Sequence, residues 1–248
     1  AEFNENLIMR KYFYTFLFIT FFGFSQENSD FQKDINSYTE LINKNSNDYT
    51  SYHYRGYAKF NIEDYEGALD DYNKAIEINN NYFEAYFSRG LLFQKLKDNK
   101  SAIEDFTECV NLKNTSASSY FNRAYSYSLI GDFKNSIEDY TKCVSIVDNY
   151  QDAYYNRGVV YKILSNYQEA INDFNKAIAI NPNKIEAFQN RGIMKCYIKD
   201  KTALNDFNKV IELDQKNGEA YYNRAAYYIN FNPKGDYCSD LKKALELG

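Results

Sequence analysis

Between residues 151 and 184 the apolar side chains fall in two stripes separated by a polar break. The first runs through Tyr154, Val160, Tyr161 and Leu164, the second through Ala170, Ile171, Phe174, Ala177 and Ile178. Both follow the i, i+3, i+4, i+7 recurrence of one helical face. Ser165-Asn166 between them is turn chemistry, and Asn181-Pro182 ends the second stripe, because the residue before a proline is pushed out of the helical region. The pattern predicts a hairpin of two helices. The second-stripe pattern also occurs upstream, where Ile35, Tyr38, Leu41 and Ile42 predict a leading helix from Phe31 to Ile42.

The hairpin recurs. Arg55-Gly56, Arg89-Gly90, Arg123-Ala124, Arg157-Gly158, Arg191-Gly192 and Arg224-Ala225 follow one another at spacings of 34, 34, 34, 34 and 33 residues. With the Gly or Ala set as place 8, six units span 49–82, 83–116, 117–150, 151–184, 185–217 and 218–248. Place 4 is aromatic in each: Tyr52, Tyr86, Tyr120, Tyr154, Phe188 and Tyr221. Place 24 holds Tyr72, Phe106, Tyr140, Phe174, Phe207 and Leu241, and place 20 is Ala or Ser except at Tyr237. Small residues at places 8 and 20 let two helices approach, and the rings fill the space around that contact. One hairpin cannot bury both its faces, so stability must come from stacking on its neighbours.

Tyr154, Gly158, Tyr161, Ala170, Phe174, Ala177 and Pro182 stand together at the signature places of the tetratricopeptide repeat family, which residues 49–248 therefore resemble. The resemblance implies an all-α fold, a right-handed superhelical solenoid of antiparallel helix pairs, here six repeats with the leading helix in 26–48 as a half repeat. It further implies that the first helix of each pair lines a concave groove, where places 2, 5, 6, 9, 12 and 13 face a peptide or protein ligand. On this chain those places give Phe87, Phe121, Tyr155 and Tyr222 at place 5, Asn122, Asn156, Asn190 and Asn223 at place 6, and Tyr125 and Val159 at place 9. Asparagine offers a donor and an acceptor to the free backbone groups of an extended peptide, and rings beside it supply contact area at low entropic cost. The alternative for these rings is packing between adjacent first helices. The carboxylate-clamp members of the family use Lys at place 5 and Asn at place 9, and no repeat here has either.

Place 7 is Arg and place 23 is Asp in all six units, the latter as Asp71, Asp105, Asp139, Asp173, Asp206 and Asp240. The two places face each other across the hairpin, which predicts six Arg–Asp bridges within or between neighbouring repeats. A row of arginines reading an acidic ligand is the alternative, and the equal count of aspartates favours the bridges.

Composition adds exclusions. Tyrosine and phenylalanine number 26 and 19 with no Trp, an aromatic content that fits one structural place refilled many times, and only 2 Pro and 10 Gly oppose a turn-rich β fold. Acidic and basic residues interleave around a net charge of −5, so no basic stripe invites nucleic acid. His53 is the only histidine, and no phosphate loop, Cys-x-x-Cys or His-Glu-x-x-His occurs, so neither catalysis nor a cofactor or metal is expected. Cys109 and Cys143 take place 27, a small-residue core position, and stacked equivalents sit too far apart to bridge. Cys196 and Cys238 leave a disulfide open.

Met9-Arg10-Lys11, the apolar run Tyr12 to Phe24 and the small residues Gly23 and Ser25 have the order of a secretory signal peptide over 9–25, cleaved after Ser25. Residues 1–8 read as a non-native or upstream leader. The run is shorter than the roughly 20 residues of a spanning helix, so membrane contact is expected only through an uncleaved N-terminal segment. The sequence thus points to a secreted or periplasmic, non-catalytic scaffold that binds a peptide or protein segment. The rivals are a self-associating structural subunit of an envelope assembly, through an uncapped last repeat, or the repeat part of a longer enzyme or sensor cut at Gly248.

Overall fold

The computed structural model describes residues 28–232 and 235–248, and the expected leader 1–8 and signal peptide 9–25 lie outside them. No strand occurs among the described residues. A helix over 28–44, α1, precedes six hairpins: α2 (Tyr49–Asn61) with α3 (Tyr65–Ile78), α4 (Phe83–Lys95) with α5 (Asn99–Leu112), α6 (Ala117–Leu129) with α7 (Phe133–Ile146), α8 (Gln151–Ile163) with α9 (Tyr167–Ile180), α10 (Ile185–Tyr197) with α11 (Ala203–Leu213), and α12 (Gly218–Phe231) with α13 (Tyr237–Leu247). The leading helix is longer than its apolar core of Phe31 to Ile42, but it lies within the expected half repeat.

The described residues form two compact units, one ending at Asn114 and the other beginning at Thr115. In the first, α2 packs on α3, α3 on α4 and α4 on α5, with α2 also touching α4. In the second, each helix from α6 to α13 packs on its sequence neighbour, and the first helices α6, α8, α10 and α12 touch in succession. Consecutive hairpins nest in chain order within both units, as the periodic packing requires.

Local chemistry fixes the helix ends. The side chains of Asp48, Asp64, Asp98, Ser116, Asp132, Asn217 and Asp236 each accept from the backbone N–H three residues on, which satisfies one of the orphan donors at a helix start. The turn inside a hairpin needs one left-handed residue, supplied by Glu63, Lys97, Gly131, Ser165 and Lys199 with φ between 59° and 80°. In the fifth repeat the one-residue deletion falls just after this turn. There α11 is 11 residues long where α9 has 14, and Thr202 before it makes no side-chain cap.

The core repeats one contact. A Cβ added to Gly158 would lie 2.8 Å from Phe174, one on Gly90 would lie 2.8 Å from Phe106, and one on Gly192 would lie 2.7 Å from Phe207. The ring at place 24 therefore occupies the space left by the missing methyl at place 8. Tyr72, Phe106, Tyr140, Phe174 and Phe207 are all buried, as are Cys109 and Cys143, and all four cysteines are free thiols.

The six Arg–Asp pairs form, every one within its own repeat. In each, Nε and Nη2 of the arginine donate to the two carboxylate oxygens: Arg157 reaches Asp173 at 2.7 and 2.7 Å, Arg89 reaches Asp105 at 2.9 and 2.7 Å. Arg55–Asp71, Arg123–Asp139, Arg191–Asp206 and Arg224–Asp240 repeat the geometry. Each guanidinium also lies over the place 4 ring of its own helix, between 5.2 and 5.6 Å from the centroid. The aspartates are buried and the arginines nearly so, which makes these fork-to-fork bonds in a desolvated setting, unlike a surface ion pair.

Candidate functional site

The first helices carry the expected site, and their side chains divide by what they touch. Phe87, Phe121 and Tyr155 lie half-buried at place 5 and pack on the place 24 ring of their own repeat. Phe87 meets Phe106 edge-on at 5.7 Å, Phe121 meets Tyr140 at 5.8 Å, and Tyr155 lies 5.9 Å from Phe174. Phe121 also stacks on Tyr150 at 5.0 Å, and Phe87 on Phe83 at 5.8 Å. These three rings close the hairpin core from the first-helix side. Val159 packs with Tyr155 against the Ala170, Ile171, Phe174 and Met194 cluster. Tyr125 and Tyr222 are different: they are 41% and 58% exposed and present their rings to solvent.

The asparagines at place 6 are not equivalent. Asn122 Nδ2 donates to the Ser118 carbonyl at 2.8 Å, and Asn156 lies beside the Tyr140 hydroxyl. Asn190 is fully engaged: Nδ2 donates to the Tyr155 hydroxyl at 3.2 Å and to the Glu186 carbonyl at 2.9 Å, while Oδ1 accepts from Lys162 Nζ at 2.6 Å. Tyr155 and Asn190 are thus two expected site residues brought into direct contact. Asn223 is the exception, because its Nδ2 is buried with no hydrogen-bond partner.

Asn223 lines a cavity of about 480 Å³ with Ile193, Cys196 and Tyr197 of α10, Lys199 of the following turn, Phe207 of α11, and Ala226, Tyr227, Asn230 and Phe231 of α12. The size is ordinary for a ligand pocket, and the walls are mostly apolar with a few polar groups, as such pockets are. Ile193, Cys196 and Tyr197 are places 9, 12 and 13 of the fifth repeat; Asn223, Ala226 and Asn230 are places 6, 9 and 13 of the sixth. The places expected to face a ligand in two adjacent repeats therefore converge on one hollow. Reading the same places down the sequence finds these residues; choosing only the asparagines and rings missed most of them. Burial pushes the Cys196 thiol up to about 11, so it stays protonated and inert at neutral pH.

The first unit has a smaller hollow of about 280 Å³ between α2 and α4, lined by His53, Tyr54, Tyr57, Phe83, Glu84, Phe87 and Ser88. His53 is buried there, with Nε2 2.9 Å from Ser88 Oγ and Nδ1 3.2 Å from the Tyr82 hydroxyl. Burial lowers its pKa from the ordinary 6.5, and Glu84 pulls the other way. Among the described residues no group of three or more His, Cys, Asp or Glu side chains is placed to hold a metal ion, and no helix is long and apolar enough to cross a membrane.

Stacked helical hairpins with open first-helix faces define a repeat scaffold of the kind that holds other proteins. Tetratricopeptide repeat models match residues 83–116, 117–147 and 152–184, and a TPR repeat model matches 56–97. The chain belongs to the tetratricopeptide repeat family. Among solved structures it is similar to the MamA protein, at 27% identity and a TM-score of 0.65 over 69% of this chain and 94% of that one. It is also similar to YrrB, described as a TPR protein with an unusual peptide-binding site, at 20% identity and a TM-score of 0.67 over 74% and 95% of the two chains. The C-terminal part of a TPR repeat-containing protein from Cytophaga hutchinsonii matches at 20% identity and a TM-score of 0.74 over 90% and 95%. No curated protein matches the sequence.

Proposed function

We propose that this protein is a non-catalytic scaffold that binds an extended peptide or protein segment along the first-helix faces, chiefly in the second unit, and that it acts outside the cytoplasm. The carrying observation is the convergence of places 6, 9, 12 and 13 from two successive repeats on the open cavity between α10 and α12. Exposed Tyr222 and Tyr125 flank this face with large amphipathic rings, the residue type that dominates binding surfaces. The peptide-binding site ascribed to the similar protein YrrB is in keeping with this reading. Export rests on the signal-like order of residues 9–25 alone.

Site-directed photo-crosslinking in cells separates the faces. A photoreactive amino acid at Tyr125 or Tyr222, on first helices, should yield discrete protein adducts. The same group at exposed Glu104 of α5 or Lys142 of α7, on second helices, should yield none. Adducts at the second-helix positions, with none at the tyrosines, would overturn the proposal. Export has its own check, the mass of the mature N-terminus, which should begin at Gln26.

A further inference from the structure

The junctions between repeats 4 and 5 and between repeats 5 and 6 have the same architecture but differ at places 5 and 12. At the first, place 12 is Lys162, whose Nζ donates to Asn190 Oδ1 at 2.6 Å, while Tyr155 at place 5 takes a hydrogen bond from Asn190 Nδ2. At the second, place 12 is Cys196 and place 5 is Gln189. The long amine is replaced by a short thiol, the cavity of about 480 Å³ stands beside it, and Asn223 Nδ2 is left without a partner. An orphaned buried donor is unfavourable, so turning the Asn223 amide toward a ligand breaks no existing bond, whereas Asn190 would have to give up three. Among the described residues Lys199 is the sole charged one on the cavity lining, and it sits exposed at the hairpin turn.

From this difference we infer that the hollow between α10 and α12 is the anchoring subsite of the groove. It takes a bulky apolar side chain of an extended peptide whose backbone carbonyl accepts from Asn223 and whose neighbouring residue is acidic, facing Lys199. The inference rests on the peptide-binding reading above and deepens it. The apolar side chain replaces water against Ile193, Phe207, Ala226 and Phe231, the carbonyl satisfies the orphaned amide, and the carboxylate meets Lys199, the cation on the described lining.

Three capped tripeptides serve as probes: acetyl-Ala-Phe-Asp-amide, acetyl-Ala-Phe-Lys-amide and acetyl-Ala-Glu-Asp-amide. They are titrated at millimolar concentration into the full chain, with backbone and side-chain signals followed by NMR, above all the side-chain amide of Asn223 and the methyls of Ile193. The first probe should shift both signals saturably, the second should bind at least threefold more weakly, and the third should leave them in place. Cys196→Lys should restore the arrangement of the neighbouring junction, fill the hollow and weaken the first probe at least tenfold. Asn223→Asp, which keeps the shape and removes the donor, should do the same and guards against misfolding of the first variant. Lys199→Ala should erase the preference for Asp over Lys. Equal binding of the Glu probe, or undiminished binding to both cavity variants, overturns the inference. Shifts confined to Tyr125, Tyr155, Val159 and Asn190 would overturn the subsite while leaving peptide binding in the groove intact. Shifts only on second helices would overturn both.

Discussion

Arg157 grips Asp173 through two parallel hydrogen bonds of 2.7 Å each, and its remaining Nη1 donates at 2.7 Å to Thr141 Oγ1 in the preceding repeat. The same third bond runs from Arg55 to Thr39, from Arg89 to Asn73, from Arg191 to Asn175 and from Arg224 to Asn208. One guanidinium therefore holds its own hairpin closed and ties it to the hairpin before. Thr39 shows that α1 plays the second-helix part for the first repeat, so the leading half repeat is joined by the same bond as the whole ones.

A charge buried with a partner is costly to orphan but cheap to replace as a pair. Asp173→Ala should destabilise the second unit by about 3–5 kcal/mol, because Arg157 is then left desolvated without its anion. Arg157→Met combined with Asp173→Leu should recover most of that loss, since both charges go together. Urea unfolding of the two variants gives the comparison. A single variant no worse than the double one would show that the pair is a surface bridge in energetic terms.

Phe174 is fully buried against Gly158, and Phe174→Ala should cost about 3–5 kcal/mol, the range for large aromatic truncations in a packed core. Tyr140 occupies the equivalent place, and its buried hydroxyl makes no hydrogen bond of proper geometry. Tyr140→Phe removes an unsatisfied polar atom, so it should be neutral or stabilising by up to about 1 kcal/mol. Thermal unfolding of both variants decides this, and a marked loss at Tyr140→Phe would mean that the hydroxyl is satisfied in solution.

Most of the fold is legible from three residue types: Gly or Ala at place 8, a ring at place 24 and the Arg–Asp pair at places 7 and 23. These positions face inward, so packing constrains them and the same residue recurs. The first-helix face is less legible because burial does not dictate it. Tyr155 and Asn190 look like ligand contacts by type, yet the structure joins them to each other and to Lys162. The cavity beside Asn223 stands where place 12 is the short Cys196 and not a lysine like Lys162, and no single residue in the sequence announces a hollow. The third bond of Arg55, Arg89, Arg157, Arg191 and Arg224 is less legible for a different reason: its partner is Thr in some repeats and Asn in others, so the position lacks one recurring letter.

Glu63, Lys97, Ser165 and Lys199 sit in the left-handed region at the hairpin turn, where Gly131 stands in the third repeat. A side chain there costs roughly 1–2 kcal/mol, less some return from the lower chain entropy of a non-glycine in the unfolded state. Lys97→Gly should therefore stabilise by about 0.5–1 kcal/mol and Gly131→Ala should destabilise by about 1 kcal/mol. Opposite signs at these two places in chemical unfolding are the expected outcome. Matching signs would place the strain elsewhere.

His53 makes the stability of the first unit depend on pH. Its imidazole contacts Ser88 and the Tyr82 hydroxyl, with the Tyr54 and Tyr72 rings 5.1 and 5.8 Å away and Glu84 as the nearby carboxylate. Burial lowers its pKa below 6.5, and the Glu84 charge offsets only part of that. The unfolded chain then takes up the proton at a higher pH than the folded one does. The contribution is complete above about 6.5, shrinks as the pH falls through the window beneath it, and is gone once the folded imidazole has also protonated. Denaturation of the wild type and of His53→Gln at pH 7.5 and 5.5 isolates this effect from the carboxylates, which both proteins share. The stability advantage of the wild type over the variant should be smaller at pH 5.5. An advantage that holds constant or grows on acidification would mean that His53 is as easily protonated in the folded protein as in the unfolded chain.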